Sequence, residues 1–176
     1  LLRGINVSGH NMIKMDVLKS LLENAGFQNV RTYIQSGNVF VDSEEENAAS
    51  VGFKIKQEIA KVFGHDVPVV MVSKADLDLC FKNNPFLKEK NCDTKKLYVA
   101  FISKELPPLA INDLKISNFK PDEAVIDSAR IYIKYAVGAG KTKLDQKYIE
   151  KKLNVVATIR NWNTVTTLLT IFDSKK

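Results

Sequence analysis

The chain has few of the residues that build metal sites and disulfide frameworks. Its 176 residues include only 2 Cys and 2 His. Cys80 and Cys92 are expected to be free thiols in a reducing cytosol, because two cysteines make no disulfide framework. A structural zinc site would need both of them together with His10 and His65, and their spacing matches no known zinc finger. We therefore predict no metal and no cofactor.

Long hydrophobic runs and secretion signals are also missing. No apolar stretch approaches the about 18 residues that a membrane-spanning helix requires, and the start of the chain has no secretory signal. Residue 1 is Leu rather than Met and reads as the middle of a strand, so we expect native residues before it. A hydrophobic content of 45%, with 5 Pro and 8 Gly, is typical of a folded globule without a membrane partner.

A strand–turn–strand pattern near the start returns in the second half. Tyr33 to Val41 aligns with Val125 to Ile133, 92 positions later. Both copies begin with an apolar pair followed by a polar residue and Ser. A small residue, another polar residue and three strand formers come next. This pattern predicts that the same β-hairpin occurs twice in the chain. The flanking elements repeat in the order β-α-β-β-α-β. We predict an α+β fold made of two tandem ferredoxin-like units with antiparallel sheets, residues 1–84 and 95–176, plus a C-terminal helix.

The formal net charge of +6 is unevenly distributed. A basic excess of this size favours anionic partners only mildly, because lysine-rich solvated faces are common. The lysines crowd the middle and the second half of the sequence: Lys82, Lys88, Lys90, Lys95 and Lys96, then Lys134, Lys141, Lys143, Lys147, Lys151 and Lys152.

A glycine-rich loop between a predicted strand and a helix predicted over about 142–153 ends in the letters G-K-T. A phosphate-binding P-loop needs a further Gly five positions before Gly140, where Tyr135 stands, so a nucleoside triphosphatase is rejected. A weaker anion site stays open, because backbone N–H groups, the helix dipole and a lysine converge there. The alternative is a glycine turn with a solvated lysine. The residues concerned are Gly138, Gly140, Lys141 and Thr142.

Two other stretches, beginning at Arg3 and at Arg160, each place an arginine at a strand end and amides in the loop that follows. Such groups could bind phosphate, carboxylate or a base edge through several hydrogen bonds, and Trp162, the only tryptophan, could stack on a ring. The structural alternative is that Trp162 packs between the units while Asn163 caps the last helix. The predicted lining of a binding site is Arg3, Asn6, Ser36, Asn38, Arg160, Asn161 and Trp162.

Strand alternation divides the second hairpin into two faces. Ile131, Ile133 and Tyr135 point one way, and Arg130, Tyr132 and Lys134 point the other. An open face with aromatic and basic residues would be similar to the sheets on which RNA-recognition modules stack bases, although their aromatic signature is absent. The same face could instead pack against the other unit.

Four motifs resemble one bacterial family. They are R-G-I-N-V-S-G from Arg3, T-Y-I-Q-S-G-N-V from Thr32, N-P-F from Asn84 and R-N-W-N-T-V from Arg160. Together they run nearly from end to end and resemble the family called domain of unknown function 1697, although Ser8 stands where that family more often has Gly. The resemblance implies a duplicated ferredoxin-like fold and a cytoplasmic protein, and it implies no established activity.

No catalytic constellation stands out, since the sequence suggests no Ser–His pair, Cys–His pair or carboxylate pair in separated environments. We therefore lean towards a protein that is not an enzyme. The first hypothesis is a non-catalytic module that binds single-stranded nucleic acid or another polyanion. The second is an enzyme or sensor for a small phosphorylated or carboxylated metabolite, and the third is a protein–protein or structural role. The sequence does not determine the oligomeric state.

Overall fold

The computed structural model describes residues 1–174, which form a mixed α+β protein with two antiparallel sheets and a C-terminal helix. The chain divides into two compact units, Leu1–Met71 and Val72–Lys176. The predicted α+β class is confirmed. The helices and strands are α1 Met15–Asn24, β1 Gln28–Tyr33, β2 Asn38–Asp42, α2 Ala48–Phe63, α3 Lys74–Asn83, β3 Leu97–Ile102, β4 Glu123–Asp127, β5 Arg130–Lys134, α4 Gln146–Leu153, β6 Ala157–Asn161 and α5 Trp162–Asp173.

The first unit contains a two-stranded antiparallel sheet, β1–β2, packed with α1 and α2. The segments around residues 1–5 and 67–72, which read as strands in the sequence, meet in a single bridge between Leu2 and Val69. Longer pairing is prevented because Gly4 and Asn6 have φ of 68° and 53°, and because Pro68 has no N–H to donate. Regular strands at these two places were therefore a wrong expectation.

The second unit has a four-stranded antiparallel sheet in the order β4-β5-β3-β6. Ile131 and Ile133 of β5 pack into a core with Ile149 and Leu153 of α4 and with the 3₁₀ segment Pro108–Leu114. The predicted division of β5 into two faces is confirmed, because Ile131 and Ile133 pack into this core while Tyr132 between them contacts α3.

The opposite face of the same sheet is also covered. Tyr132 is 0% exposed, and its hydroxyl donates to the backbone carbonyl of Cys80 in α3 at 3.2 Å. Trp162 of α5 is 4% exposed, and its ring stacks on Phe81 of α3 at 5.7 Å between centroids. An open, base-stacking face is therefore ruled out here. The helix α3, which the sequence analysis grouped with residues 1–84, supplies this cover in the second unit.

A polar cluster fixes α3 to the β4–β5 hairpin. Arg130, 5% exposed, lies 3.7 Å from the carboxylate of Asp76 and 3.9 Å from that of Asp127. Burial raises the pKa of the Cys80 thiol to about 12 and also raises the pKa of Tyr132. The contacts of Arg130 with Asp76 and of Tyr132 with the Cys80 carbonyl make the cluster a structural anchor between α3 and the hairpin.

Candidate functional site

Two loops of the first unit are held together by one asparagine side chain. Asn6 accepts a hydrogen bond from the Ile13 N–H at 2.8 Å and donates to the carbonyls of Ile13 and Gln35, each at 2.9 Å. Asn11 adds a bond to the carbonyl of Gly4 at 3.1 Å. Asn6, predicted as a ligand-binding residue, thus braces the loop of residues 4–13 against the β1–β2 turn.

The turn of the first hairpin contains two further predicted residues. Asn38 is 0% exposed and donates to the Tyr33 carbonyl at 3.0 Å and to the Ser36 hydroxyl at 3.1 Å. Gly37 has φ of 79°, and a Cβ placed on it would lie 2.7 Å from the Cβ of Leu2. Only glycine fits there, because the backbone is left-handed and no room for a side chain exists. Asn6, Ser36 and Asn38 therefore lie in one braced double loop.

The double loop is free of acidic residues. Residues 1–15 and 28–41 contain Arg3, Lys14 and Arg31 but no Asp or Glu. Val7, Met12 and Ile34 on these segments are 58%, 60% and 48% exposed. Lys14 is exposed, whereas the guanidinium of Arg31 lies over the Phe40 ring with its Nε and Nη2 atoms buried, so these segments present a partly apolar surface.

The three predicted residues of the second unit have structural contacts. Arg160 is 7% exposed and donates to the Thr158 hydroxyl at 2.8 Å and to the Ile159 carbonyl at 3.0 Å. Burial lowers the pKa of Arg160 to about 10. Asn161 caps α5 by accepting the Thr164 N–H at 2.8 Å, which was the role predicted for Asn163. The ring of Trp162 is already covered by Phe81.

The predicted site therefore falls into two parts. Arg3, Asn6, Ser36 and Asn38 belong to the first unit, whereas Arg160, Asn161 and Trp162 belong to the second. The joining of these parts into one ligand cleft stays a prediction.

The glycine loop of the second unit leads into α4 less directly than the sequence indicates. Gly138 has φ of 95°, and Ala139–Lys141 forms a single 3₁₀ turn. The Thr142 hydroxyl then accepts the Leu144 N–H at 3.0 Å. Because of this turn, α4 begins at Gln146, whereas the sequence predicted a start at about residue 142.

The N-terminus of α4 is occupied by a carboxylate of the chain itself. Asp145 accepts the Tyr148 N–H at 2.8 Å. A bound anion at this end would have to compete with that carboxylate. Gly140 and Lys141 are exposed in the loop before it, so an anion site at Gly138, Gly140, Lys141 and Thr142 stays a prediction.

A lysine-rich surface that the motif search missed surrounds Tyr148. The Tyr148 hydroxyl donates to the Leu114 carbonyl at 2.9 Å, and its ring meets Phe119 edge-to-face at 4.8 Å. The ammonium group of Lys152 lies 5.7 Å from the centre of the same ring. Exposed lysines follow Leu114 and Phe119 directly in the sequence. We define the basic patch as Lys115, Lys120, Lys147, Lys151 and Lys152.

The carboxylates of α4 and its cap are engaged with backbone groups. Asp145 caps the helix, and Glu150 accepts the Ala157 N–H at 3.0 Å. Lys147 and Lys151 are both exposed and lie four residues apart, on one side of the helix. Asp113 is an exposed acid near Lys115. The patch therefore carries a net positive charge, and the i, i+4 spacing of its helical lysines is the sequence signal that could have revealed it.

Within residues 1–174, no group of three or more His, Cys, Asp or Glu is arranged to hold a metal ion. In the same part of the chain, no helix combines the length and hydropathy needed to cross a bilayer.

These features define an α+β protein with two antiparallel sheets, a braced loop pair in one unit and a basic patch in the other. The chain belongs to the family described as Protein of unknown function (DUF1697), which matches residues 1–132. The helical lysines of the basic patch lie beyond the matched residues.

One solved structure shows the same fold. It is described as the conserved bacterial protein SP0830 from Streptococcus pneumoniae, and it is 21% identical to this chain with a TM-score of 0.65. The match covers 97% of this chain and 94% of that one. At this identity the likeness shows the fold alone. A search of curated proteins found no significant match.

Proposed function

We propose that the protein is a non-catalytic module that binds a polyanion, with single-stranded nucleic acid as the first candidate. The observation that carries this proposal is the partition of charge between the units. Residues 1–71 hold 7 Lys/Arg and 8 Asp/Glu, a formal charge of −1, whereas residues 72–176 hold 19 and 12, a formal charge of +7. The whole basic excess therefore belongs to the second unit.

The basic patch is the part of the second unit best suited to a phosphate chain. Its lysines are exposed, and the nearest helical carboxylates are occupied by backbone N–H groups. By contrast, Lys74 forms ion pairs with Asp78 and Asp173, and Lys134 forms ion pairs with Glu123 and Glu89. These carboxylates raise the pKa of both lysines. A lysine whose charge is balanced by an internal carboxylate attracts an anionic partner less strongly.

The test is a fluorescence anisotropy titration of the protein with single-stranded RNA at two salt concentrations. Each neutralised phosphate of a single strand contributes about −0.7 to the slope of log K against log salt, so five lysines predict a slope of about −3.5. We expect binding at about 50 mM salt and marked weakening at about 200 mM. Absence of binding at the lower salt would refute the polyanion function.

A second candidate is a small phosphorylated or carboxylated metabolite bound at the double loop of the first unit. The favouring observation is that residues 1–15 and 28–41 carry three basic residues and no acid in a unit whose overall charge is −1. A thermal-shift screen of nucleotides and sugar phosphates tests it, with Arg3→Gln as the comparison variant. A ligand of this site should stabilise the parent protein and lose its effect on the variant, while RNA binding stays unchanged.

We further propose that the two units are tandem copies of one ferredoxin-like ancestor. The carbonyl of Gly37 accepts the Leu2 N–H at 2.8 Å, and that of the aligned Ala129 accepts the Ile102 N–H at 3.0 Å. In both units the hairpin is thus linked to the unit's first extended segment at the same aligned position. Superposition of the two units in a crystal structure tests this proposal. The two hairpins and the two second helices should coincide. Hairpins or helices that run in opposite chain directions after superposition would refute it.

A further inference from the structure

We propose that the basic patch binds single-stranded nucleic acid through its phosphate backbone alone, without stacking on the bases. This inference rests on the proposed polyanion function and specifies how the ligand is recognised. The occupant is a phosphodiester strand, chosen because the lysines of the patch present point charges that suit phosphates of any sequence.

The aromatic residues of the second unit are committed to packing. Tyr132, Tyr135 and Trp162 are 0%, 1% and 4% exposed, so none can offer a ring face to a base. The ring of Tyr148, beside Lys152 of the basic patch, already contacts Phe119 and Lys152. None of these four rings therefore offers the free face on which single-strand binders stack bases.

Phe81 is the most exposed of these packed aromatics, with 46% of the residue accessible to solvent, although its ring stacks on Trp162. It belongs to α3, which covers the sheet face of Tyr132. The helix α4 covers the other face, where Ile149 and Leu153 pack against Ile131 and Ile133. Phe81 and the basic patch therefore lie on opposite sides of the sheet, and a strand bound at the patch does not reach this ring.

The spacing of the lysines in the basic patch suits the phosphates of a nucleic acid strand. Lys147 and Lys151 are four residues apart, which is about 6 Å along a helix axis. Lys115 and Lys120 extend the positive surface beside them, because Leu114 and Phe119 both contact Tyr148. A flexible strand can place successive phosphates on such a row without a defined base register.

The experiment compares a labelled single-stranded DNA with an abasic oligonucleotide of equal length and equal phosphate number. Both are titrated by fluorescence anisotropy against the intact protein and against the Lys147→Gln/Lys151→Gln variant. We expect the two ligands to bind with dissociation constants within about threefold of each other and with equal salt slopes, because phosphates carry the affinity. The variant should lose affinity for both to the same extent.

The outcomes separate this inference from the function it rests on. Binding of the normal strand with a loss of about tenfold or more for the abasic strand would overturn backbone-only recognition and leave polyanion binding intact, since stacking contributes about that much per base. Failure of both oligonucleotides and of inorganic polyphosphate to bind at low salt would overturn both proposals. Inorganic polyphosphate serves as a third ligand, and its binding far more tightly than either oligonucleotide would overturn nucleic acid as the occupant.

Discussion

The two hairpins have aligned sequences but different turns. In the first, Tyr33 pairs with Asn38, so the loop spans four residues, 34–37. In the second, Asp127 pairs with Arg130, so the loop spans only two, 128–129. The first loop is wide because Asn38 bonds back to the Tyr33 carbonyl and Asn6 holds the carbonyl of Gln35. The side chains around a repeated motif, more than the motif itself, thus decide the local structure.

The same contrast extends to the whole units. The first combines a short sheet with a braced double loop and a charge of −1, whereas the second has a sheet covered on both faces and a charge of +7. In the second unit Tyr132, Tyr135 and Trp162 are buried, whereas Lys147 and Lys151 are exposed. These differences are the reason why we propose a small-ligand site in the first unit and polyanion binding in the second.

The largest expected effect comes from adding one methyl group to the first turn. Gly37→Ala should destabilise the protein by about 2–5 kcal/mol, because it combines left-handed strain with overpacking against Leu2. The matched control is Ala129→Gly at the aligned position, where the expected cost is only about 0.5–1 kcal/mol. Urea denaturation followed by circular dichroism measures both. Similar losses for the two variants would mean that the turns do not differ as described.

A smaller effect concerns the pH dependence of the second unit. The thiol of Cys80 has a pKa of about 12 in the folded protein against an ordinary value of 9.0. Above pH 9 the unfolded thiol loses its proton while the folded one keeps it, so the folded state binds more protons and stability falls as pH rises. One such group contributes a slope of about 1.4 kcal/mol per pH unit.

Trp162, the only tryptophan, is buried in the same unit and reports its unfolding by fluorescence. Urea titrations of the parent protein and of Cys80→Ala, at a series of pH values above 9, should give a shallower decline for the variant. The variant should be less stable at every pH because a buried side chain is truncated. Only the slope of the free energy of unfolding against pH reports on the titration of the thiol. Equal slopes for the two proteins would show that Cys80 does not titrate abnormally.

Local patterns predicted the hairpins, the α+β class and the inward face of β5. Ile131 and Ile133 are buried as predicted because alternation is a property of a single strand. The capping of α5 was placed two residues late, at Asn163 instead of Asn161, because both amides precede a helical pattern and only the backbone angles distinguish them.

The sequence could not show what covers Tyr132. Alternation assigns its side chain to a face, but the cover comes from α3, about fifty residues earlier in the chain, and such long-range packing leaves no local signal. The roles of the predicted site residues also depend on long-range contacts that leave no local signal in the sequence. Asn6, Asn38 and Asn161 were predicted to line a binding site, but their hydrogen-bond partners, which give them structural roles, are visible only in the fold.

We expect charge on α4 of the second unit to attract the polyanion. The salt dependence of single-stranded RNA binding in two charge-matched variants tests this expectation. Lys147→Gln/Lys151→Gln removes two lysines from the basic patch, and Lys19→Gln/Lys61→Gln removes two exposed helical lysines from the first unit. The first variant should reduce the magnitude of the salt slope by about 1.4, and the control should leave it unchanged. Equal slopes for the two variants would contradict the account.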